Sequence, residues 1–394
     1  MIKEIFPGLT YIGVQDRDLD LFESQYAVPE GMAYNSYLLD GGKKIAILDT
    51  VDARKGEAWK QNLVDALAGR QPDYLVVHHM EPDHSALIRD VLETWADLKL
   101  AASAKALQML GQFFEGFDVT GRTVALKEGD VLDLGSHSLR FFAAPMVHWP
   151  EVMVSYDEAT KTLFSADAFG KFGTLDAGFY GDEDDDWACE ARRYYFNICG
   201  KYGGPVQTLL KKAAGLDIAC ICPLHGPVLR KDLAYYLDLY DTWSSYGVET
   251  EGVFVAYASI HGGTAAAALK LADILRDKGC PKVALCDLTR DDQAEGVEDA
   301  FRYGRAVLAA STYDGGIFPP MYAFLHHLQD KAWQKRKVGL VENGSWAPSA
   351  GRIMRGMLEG MKEIEIVEPV VTIRSRMKTT DIPALEALAD AILA

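Results

Sequence analysis

His79-Met80-Glu81-Pro82-Asp83-His84 lies just after the short apolar run Tyr74-Leu75-Val76-Val77. That run reads as a buried strand, and loops leaving a strand are where chemistry-bearing side chains usually stand. His79, Glu81, Asp83 and His84 carry imidazoles or carboxylates, so this loop is fitted to hold a metal. The same residues would equally make a polar turn, with Asp83 or Ser85 capping a helix behind it.

Three later positions weigh against the plain turn. His148, Asp167 and His225 each follow an apolar run, at 139–144, 162–166 and 218–222. A single histidine is more often a satisfied core or surface residue than a ligand. Three residues repeating one placement suit ligands delivered from separate strand ends to one point.

In this order the residues resemble the flavodiiron proteins, or A-type flavoproteins. Hydrolytic relatives with the same metal module read His-x-His-x-Asp-His and hold zinc, whereas here Glu81 takes the second histidine's place. The resemblance implies an α/β fold: an N-terminal metallo-β-lactamase-like αββα sandwich and a C-terminal flavodoxin-like, doubly wound, five-stranded parallel sheet. It implies a pair of irons with Glu81, Asp83, His84, His148 and His225 as terminal ligands, Asp167 as the bridging carboxylate, and His79 added to the set. Imidazole and carboxylate oxygen ligands suit iron better than a thiolate-rich tetrahedral zinc site would.

Composition narrows the remaining choices. A chain of 394 residues is long for one core and suggests two domains. A net charge of −17 argues against a nucleic-acid partner and an anionic membrane surface. No apolar run approaches the ~20 residues of a membrane helix, and the start lacks a secretory signal's apolar core, so a cytoplasmic location is expected. The six cysteines are expected as reduced thiols, with Cys220 and Cys222 on one face of a buried strand. No Cys-x-x-Cys pair occurs, so no rubredoxin-like module is expected within these residues.

The opening 75 or so residues read as short strands, then a helix over 54–68 with Trp59, Leu63, Val64 and Leu67 as its apolar stripe. A second helix is expected near 86–95 and a strand series over 119–166. The acidic run 181–186 precedes a helix over 187–198, where it would favour the helix's positive end and stay solvated. The resemblance places a tyrosine of that helix, taken as Tyr195, beside the diiron pocket as a catalytic residue; an aromatic packing role fits the same position. Gly247 to Gly252 marks a boundary, giving domains 1–250 and 251–394.

Beyond it, strands at 253–258, 282–286, 306–311, 337–342 and 364–371 alternate with five helical segments, the pattern of a parallel sheet covered on both faces. Three loops after strands hold the polar and glycine-rich residues. Ser259-Ile260-His261-Gly262-Gly263-Thr264 leads into a helix and fits a phosphate cradle, though any strand-to-helix turn could look so. Ser311-Thr312-Tyr313-Asp314-Gly315-Gly316 and Asn343-Gly344-Ser345-Trp346 look like flavodoxin loops that grip FMN, with Tyr313 and Trp346 as aromatic surface. The third loop departs from the Gly-Ser-Tyr-Gly-Trp-like sequence of other members, which bears on flavin potential or substrate preference.

The resemblance therefore implies an oxidoreductase passing electrons from a rubredoxin-like protein or a reduced deazaflavin through FMN to two irons. There dioxygen is reduced to water, nitric oxide to nitrous oxide, or both. Relatives of this kind work as head-to-tail homodimers or dimers of dimers. A zinc hydrolase fused to a flavodoxin, and an electron carrier with a structural metal module, are the alternatives.

Overall fold

Ile45–Leu48 and Tyr74–Val77 are near-continuous apolar runs, and they pair in parallel as neighbouring strands inside a sheet. Strands buried on both faces have no polar side to show, which is why such runs lack alternation. The computed structural model describes residues 1–394 and divides them into two units. One contains Met1–Tyr195 and Gly204–Tyr240, the other Phe196–Gly203 and Asp241–Ala394.

The first unit holds two sheets. The larger has 7 strands in the order Lys3–Phe6, Leu9–Tyr11, Tyr37–Asp40, Ile45–Leu48, Tyr74–Val77, Lys99–Ser103 and Thr123–Leu126. The other has 5: Val131–Asp133, Ser138–Ala143, Met153–Asp157, Thr162–Phe164 and Cys220–Cys222. Leu39, Leu48, Val76 and Ala101 of one sheet share a core with Phe141, Met153, Phe164, Cys220 and Cys222 of the other. This is the expected metallo-β-lactamase-like sandwich. None of the six cysteines is joined in a disulfide.

Helix Gly56–Leu67 turns Trp59, Leu63 and Leu67 inward, but Val64 is 53% exposed. Residues 59, 63 and 67 recur at four-residue spacing on one stripe, and Val64 falls at its edge. The helix expected near 86–95 is found as Ile88–Thr94, and a separate helical turn, Pro82–Ser85, precedes it because the ligand loop itself begins to coil at Pro82.

The second unit is a parallel sheet in the order Val283–Asp287, Thr250–Ala258, Tyr303–Tyr313, Arg336–Asn343 and Ile364–Ile366. That order is the flavodoxin-like doubly wound one. Val253 and Val255 face helices Gly263–Asp277 and Ile382–Leu393, while Phe254 meets Phe324 of helix Pro319–Asp330 on the opposite side. The single strand expected at 364–371 is two, Ile364–Ile366 and Val371–Ile373, with Pro369 between them and no N–H there to continue a ladder.

Candidate metal centre

Asp49 anchors the start of the ligand loop. The His78 backbone N–H donates to Asp49 Oδ1 at 2.7 Å, His78 Nδ1 lies 2.5 Å from Asp49 Oδ2, and His78 Nε2 lies 2.7 Å from Ser155 Oγ. Ser155, His78 and Asp49 thus form a serine–histidine–aspartate chain, but all three are buried and no substrate reaches the hydroxyl. Their role is to tie the end of strand Tyr74–Val77 to the strands Ile45–Leu48 and Met153–Asp157.

From that fixed point the loop delivers its side chains to two adjacent groups. His79, Glu81, His148 and Asp167 bring one ligand atom each within 4.8 Å of one another, and Asp83, His84 and His225 do the same. In the first, Glu81 Oε2 lies 3.1 Å from His79 Nε2 and 3.0 Å from His148 Nε2. In the second, His84 Nε2 and His225 Nε2 stand 3.0 Å apart, with Asp83 Oδ2 at 3.4 and 3.3 Å from them.

Asp167 spans both. Its Oδ2 lies 3.2 Å from His148 Nε2 and 3.6 Å from His79 Nε2, while Oδ1 lies 3.2 Å from His84 Nε2 and 3.9 Å from His225 Nε2. All seven residues singled out in the sequence therefore meet, with one carboxylate oxygen facing each group.

The donor set fits a pair of cations. Both oxygens of Asp83, both of Asp167 and Nδ1 of His84 are buried without a hydrogen-bond partner. Orphaned carboxylate oxygens in a dry interior are costly unless a positive charge lies between them. Imidazoles and carboxylates without thiolates are the ligand set expected of non-haem iron.

Electrostatics agree. Burial disfavours charged imidazoles, yet Asp83 and Asp167 raise His84 to about 9, and Asp167 and Glu81 raise His148 to about 9. Burial likewise opposes ionisation of Asp167 and Glu81, but His84 and His79 hold the first, and His148 and His79 the second, below the usual carboxylate range. Buried imidazoles and carboxylates thus favour each other's charged forms, and a bound cation would take the place of the imidazole protons.

Two supporting groups were not visible in the sequence. Glu151 accepts from His79 Nδ1 and from the Met80 backbone N–H, each at 2.9 Å. The Ala33 carbonyl accepts from His225 Nδ1 at 2.8 Å. Glu151 stands three residues after His148, a spacing that could have drawn attention to it; Ala33 acts through its backbone and leaves no residue signal.

The tyrosine assignment shifts by one. Tyr194 packs on His225, with ring centroids 5.5 Å apart, whereas the ring of Tyr195 meets Tyr240 at 5.2 Å. Consecutive helical residues point about 100° apart, so only one of the pair turns toward the ligand. Phe22 and Tyr34 complete an aromatic wall around His225, at 5.5 and 5.8 Å.

In the other unit the three expected loops stand together at the carboxyl edge of the sheet. Thr264 Oγ1 lies 2.8 Å from Ser311 Oγ, and the Ser349 N–H donates to Thr312 Oγ1 at 2.9 Å. Gly262 takes a left-handed φ of 83° just before helix Gly263–Asp277, whose first N–H groups have no partner within the helix. A Cβ on Gly263 would lie 2.2 Å from the Ser375 carbonyl oxygen, so only glycine fits there. Tyr313 is 46% and Trp346 89% exposed, leaving their faces open to a flat ligand. His261, Asp314 and Gly344 lie in these same loops. Ser375 is a fourth contributor missed in the sequence: its carbonyl accepts from Asn343 Nδ2 at 2.9 Å and its hydroxyl lies 2.8 Å from Ser345 Oγ. These features fit a phosphate at a helix N-terminus and a ring against aromatic loops.

Comparison with known proteins follows the same division. The domain described as ODP family beta lactamase matches residues 32–226. The chain is 29% identical to a putative diflavin flavoprotein A of Synechocystis over 98% of its own length and 66% of that protein's. It is 25% identical to the type A flavoprotein of Rhodobacter capsulatus, covering 94% of this chain and 86% of the relative. Against the diflavin flavoproteins of Synechocystis and Thermosynechococcus vestitus, the chain spans 66% and 45% of their lengths. Among solved structures, it has the fold of the rubredoxin oxygen:oxidoreductase of Desulfovibrio gigas, with TM-score 0.91, 24% identity, and coverage of 100% of this chain and 98% of that one. The flavodiiron protein of Giardia intestinalis gives TM-score 0.93 at 22% identity, over 99% and 96%.

Proposed function

Because the chain belongs to the type A flavoprotein, or flavodiiron, family, we propose that it is an oxidoreductase that reduces dioxygen, nitric oxide or both at a pair of irons, fed through FMN. The observation that carries this is Asp167, whose two oxygens face two separate ligand groups. When bound, the irons supply adjacent one-electron redox sites for a diatomic substrate, and FMN supplies a carrier between paired and single electron transfer.

The chain's own residues would do the following. His79, Glu81 and His148 would hold one cation and Asp83, His84 and His225 the other, with Asp167 placed to offer an oxygen to each. Asp49 and Ser155, through His78, keep the loop that bears four of these residues from moving. Phe22, Tyr34 and Tyr194, all buried, would shield the His225 side from water. The residues at 259–264 would bind the flavin phosphate, and those at 311–316 and 343–346 its ring.

The D. gigas neighbour's name supports a rubredoxin-like donor and dioxygen as substrate; a reduced deazaflavin is the other donor in view. The family resemblance supports a head-to-tail homodimer, with residues 1–250 serving the metals and 251–394 the flavin. No helix is long and apolar enough to cross a membrane. The test is gas consumption by the reduced, iron- and FMN-loaded protein under dioxygen and nitric oxide in turn. Turnover of either gas supports the proposal. Uptake of neither, with zinc and hydrolase turnover in their place, overturns it.

A further inference from the structure

Glu151 belongs to no metal motif, yet its side chain is as deeply buried as that of His79. We propose that Glu151 is the positioning residue that makes His79 a ligand, by holding the Nδ1–H tautomer so that Nε2 keeps its lone pair toward Glu81, His148 and Asp167. This inference rests on the metal-centre reading above.

The geometry is specific. One carboxylate oxygen, Oε1, accepts from both His79 Nδ1 and the Met80 N–H, at 2.9 Å each. The second contact stops the carboxylate from following the ring if the ring turns. The segment carrying Glu151 is held in turn, since Ser103 Oγ donates to the Glu151 carbonyl at 2.9 Å and the Met153 N–H to the His78 carbonyl at 3.1 Å. A neutral imidazole has one N–H and one lone pair, so fixing the proton on Nδ1 fixes the lone pair on Nε2. An ionised partner also makes that lone pair more basic than a neutral acceptor does. Two other ligand histidines are held differently: His225 Nδ1 donates to the Ala33 carbonyl, and His84 Nδ1 has no partner. Of these three ligands, His79 is thus the one with a carboxylate behind its Nδ1.

A purely structural role, bracing the Met80 N–H, is separable by experiment. Glu151→Gln keeps an oxygen that accepts both bonds but removes the charge; Glu151→Ala removes both. Iron retention against a competing chelator and the melting temperature are measured for each. The expected result is about 10- to 100-fold weaker binding of one iron in Glu151→Ala and a smaller loss in Glu151→Gln, with the second iron retained. In a His79→Ala background, Glu151→Gln should cause no further loss, since the pair then has nothing left to couple. Lower melting temperature with unchanged iron affinity in both variants would overturn the proposal. Should the unsubstituted protein fail to hold two irons, the metal-centre reading fails first, and this inference with it.

Discussion

His84 Nε2 and His225 Nε2 stand 3.0 Å apart, from helix Pro82–Ser85 and from the loop after strand Cys220–Cys222. Two imidazole nitrogens so close, with Asp83 Oδ2 beside both, form a convergent ligand group; either nitrogen carrying a proton toward the other would occupy a lone pair the group needs. Replacing His225 with alanine should therefore cost the iron of this group and spare the other. Iron content is expected to fall from about two to about one per chain. Asp167→Ala, which removes the oxygen facing each group, should lower both. Iron analysis of purified variants decides; equal loss in His225→Ala and Asp167→Ala would contradict the two-group arrangement.

The metal-free protein should lose stability as pH rises from near neutrality. His84 and His148 are each raised to about 9, above the ordinary imidazole value near 6.5. A raised folded value means their contribution is complete below about pH 6.5 and disappears as pH climbs through about 9. Asp167 and Glu81 are depressed, so theirs is present above the ordinary carboxylate range and fades in acid. Melting temperatures of chelator-treated protein should fall between about pH 6.5 and 9, while the iron-loaded form, with cations replacing those protons, should not follow. A chelated protein that melts higher at pH 9 than at 6.5 would refute the charge arrangement.

Asp49→Ala should destabilise the fold and weaken metal binding without touching a ligand. It strips partners from the His78 N–H and Nδ1, both buried. Unsatisfied buried groups of this kind cost about 1–3 kcal/mol each. Chemical denaturation measures the first effect and iron retention the second. Wild-type stability would show that His78 needs no anchor.

Much of this centre was legible in the chain because its ligands sit just past apolar runs, and a strand end is a place that local sequence can locate. Glu151, Asp49 and Ala33 were not, because each acts on a ligand loop brought close only by sheet pairing. Tyr194 and Tyr195 could not be told apart, since helix phase relative to His225 is a property of the packed structure. In the second unit the three loops were readable from strand ends and glycines, but Ser375 was not; it matters through its carbonyl and its contact with Asn343. The strand expected at 364–371 ignored Pro369, whose missing N–H was a signal available from the start.

At the flavin loops, two substitutions should separate. Gly263→Ala places a methyl 2.2 Å from the Ser375 carbonyl, so the loop must shift and FMN binding should weaken at least about tenfold, the scale of one lost anchoring contact. Trp346→Ala removes a side chain 89% exposed and should leave stability within about 0.5 kcal/mol, while costing FMN about 0.5–1.5 kcal/mol of ring contact. Flavin fluorescence titration and thermal melts read both. Unchanged FMN affinity in both variants would remove these loops from the flavin site.

X-ray absorption at the iron edge, on protein reconstituted with ferrous iron, tests the central claim most directly. The account predicts about two irons per chain in a nitrogen and oxygen shell, with a second iron about 3.5–4 Å away. A single isolated iron, or a site that takes zinc and refuses iron, would contradict it.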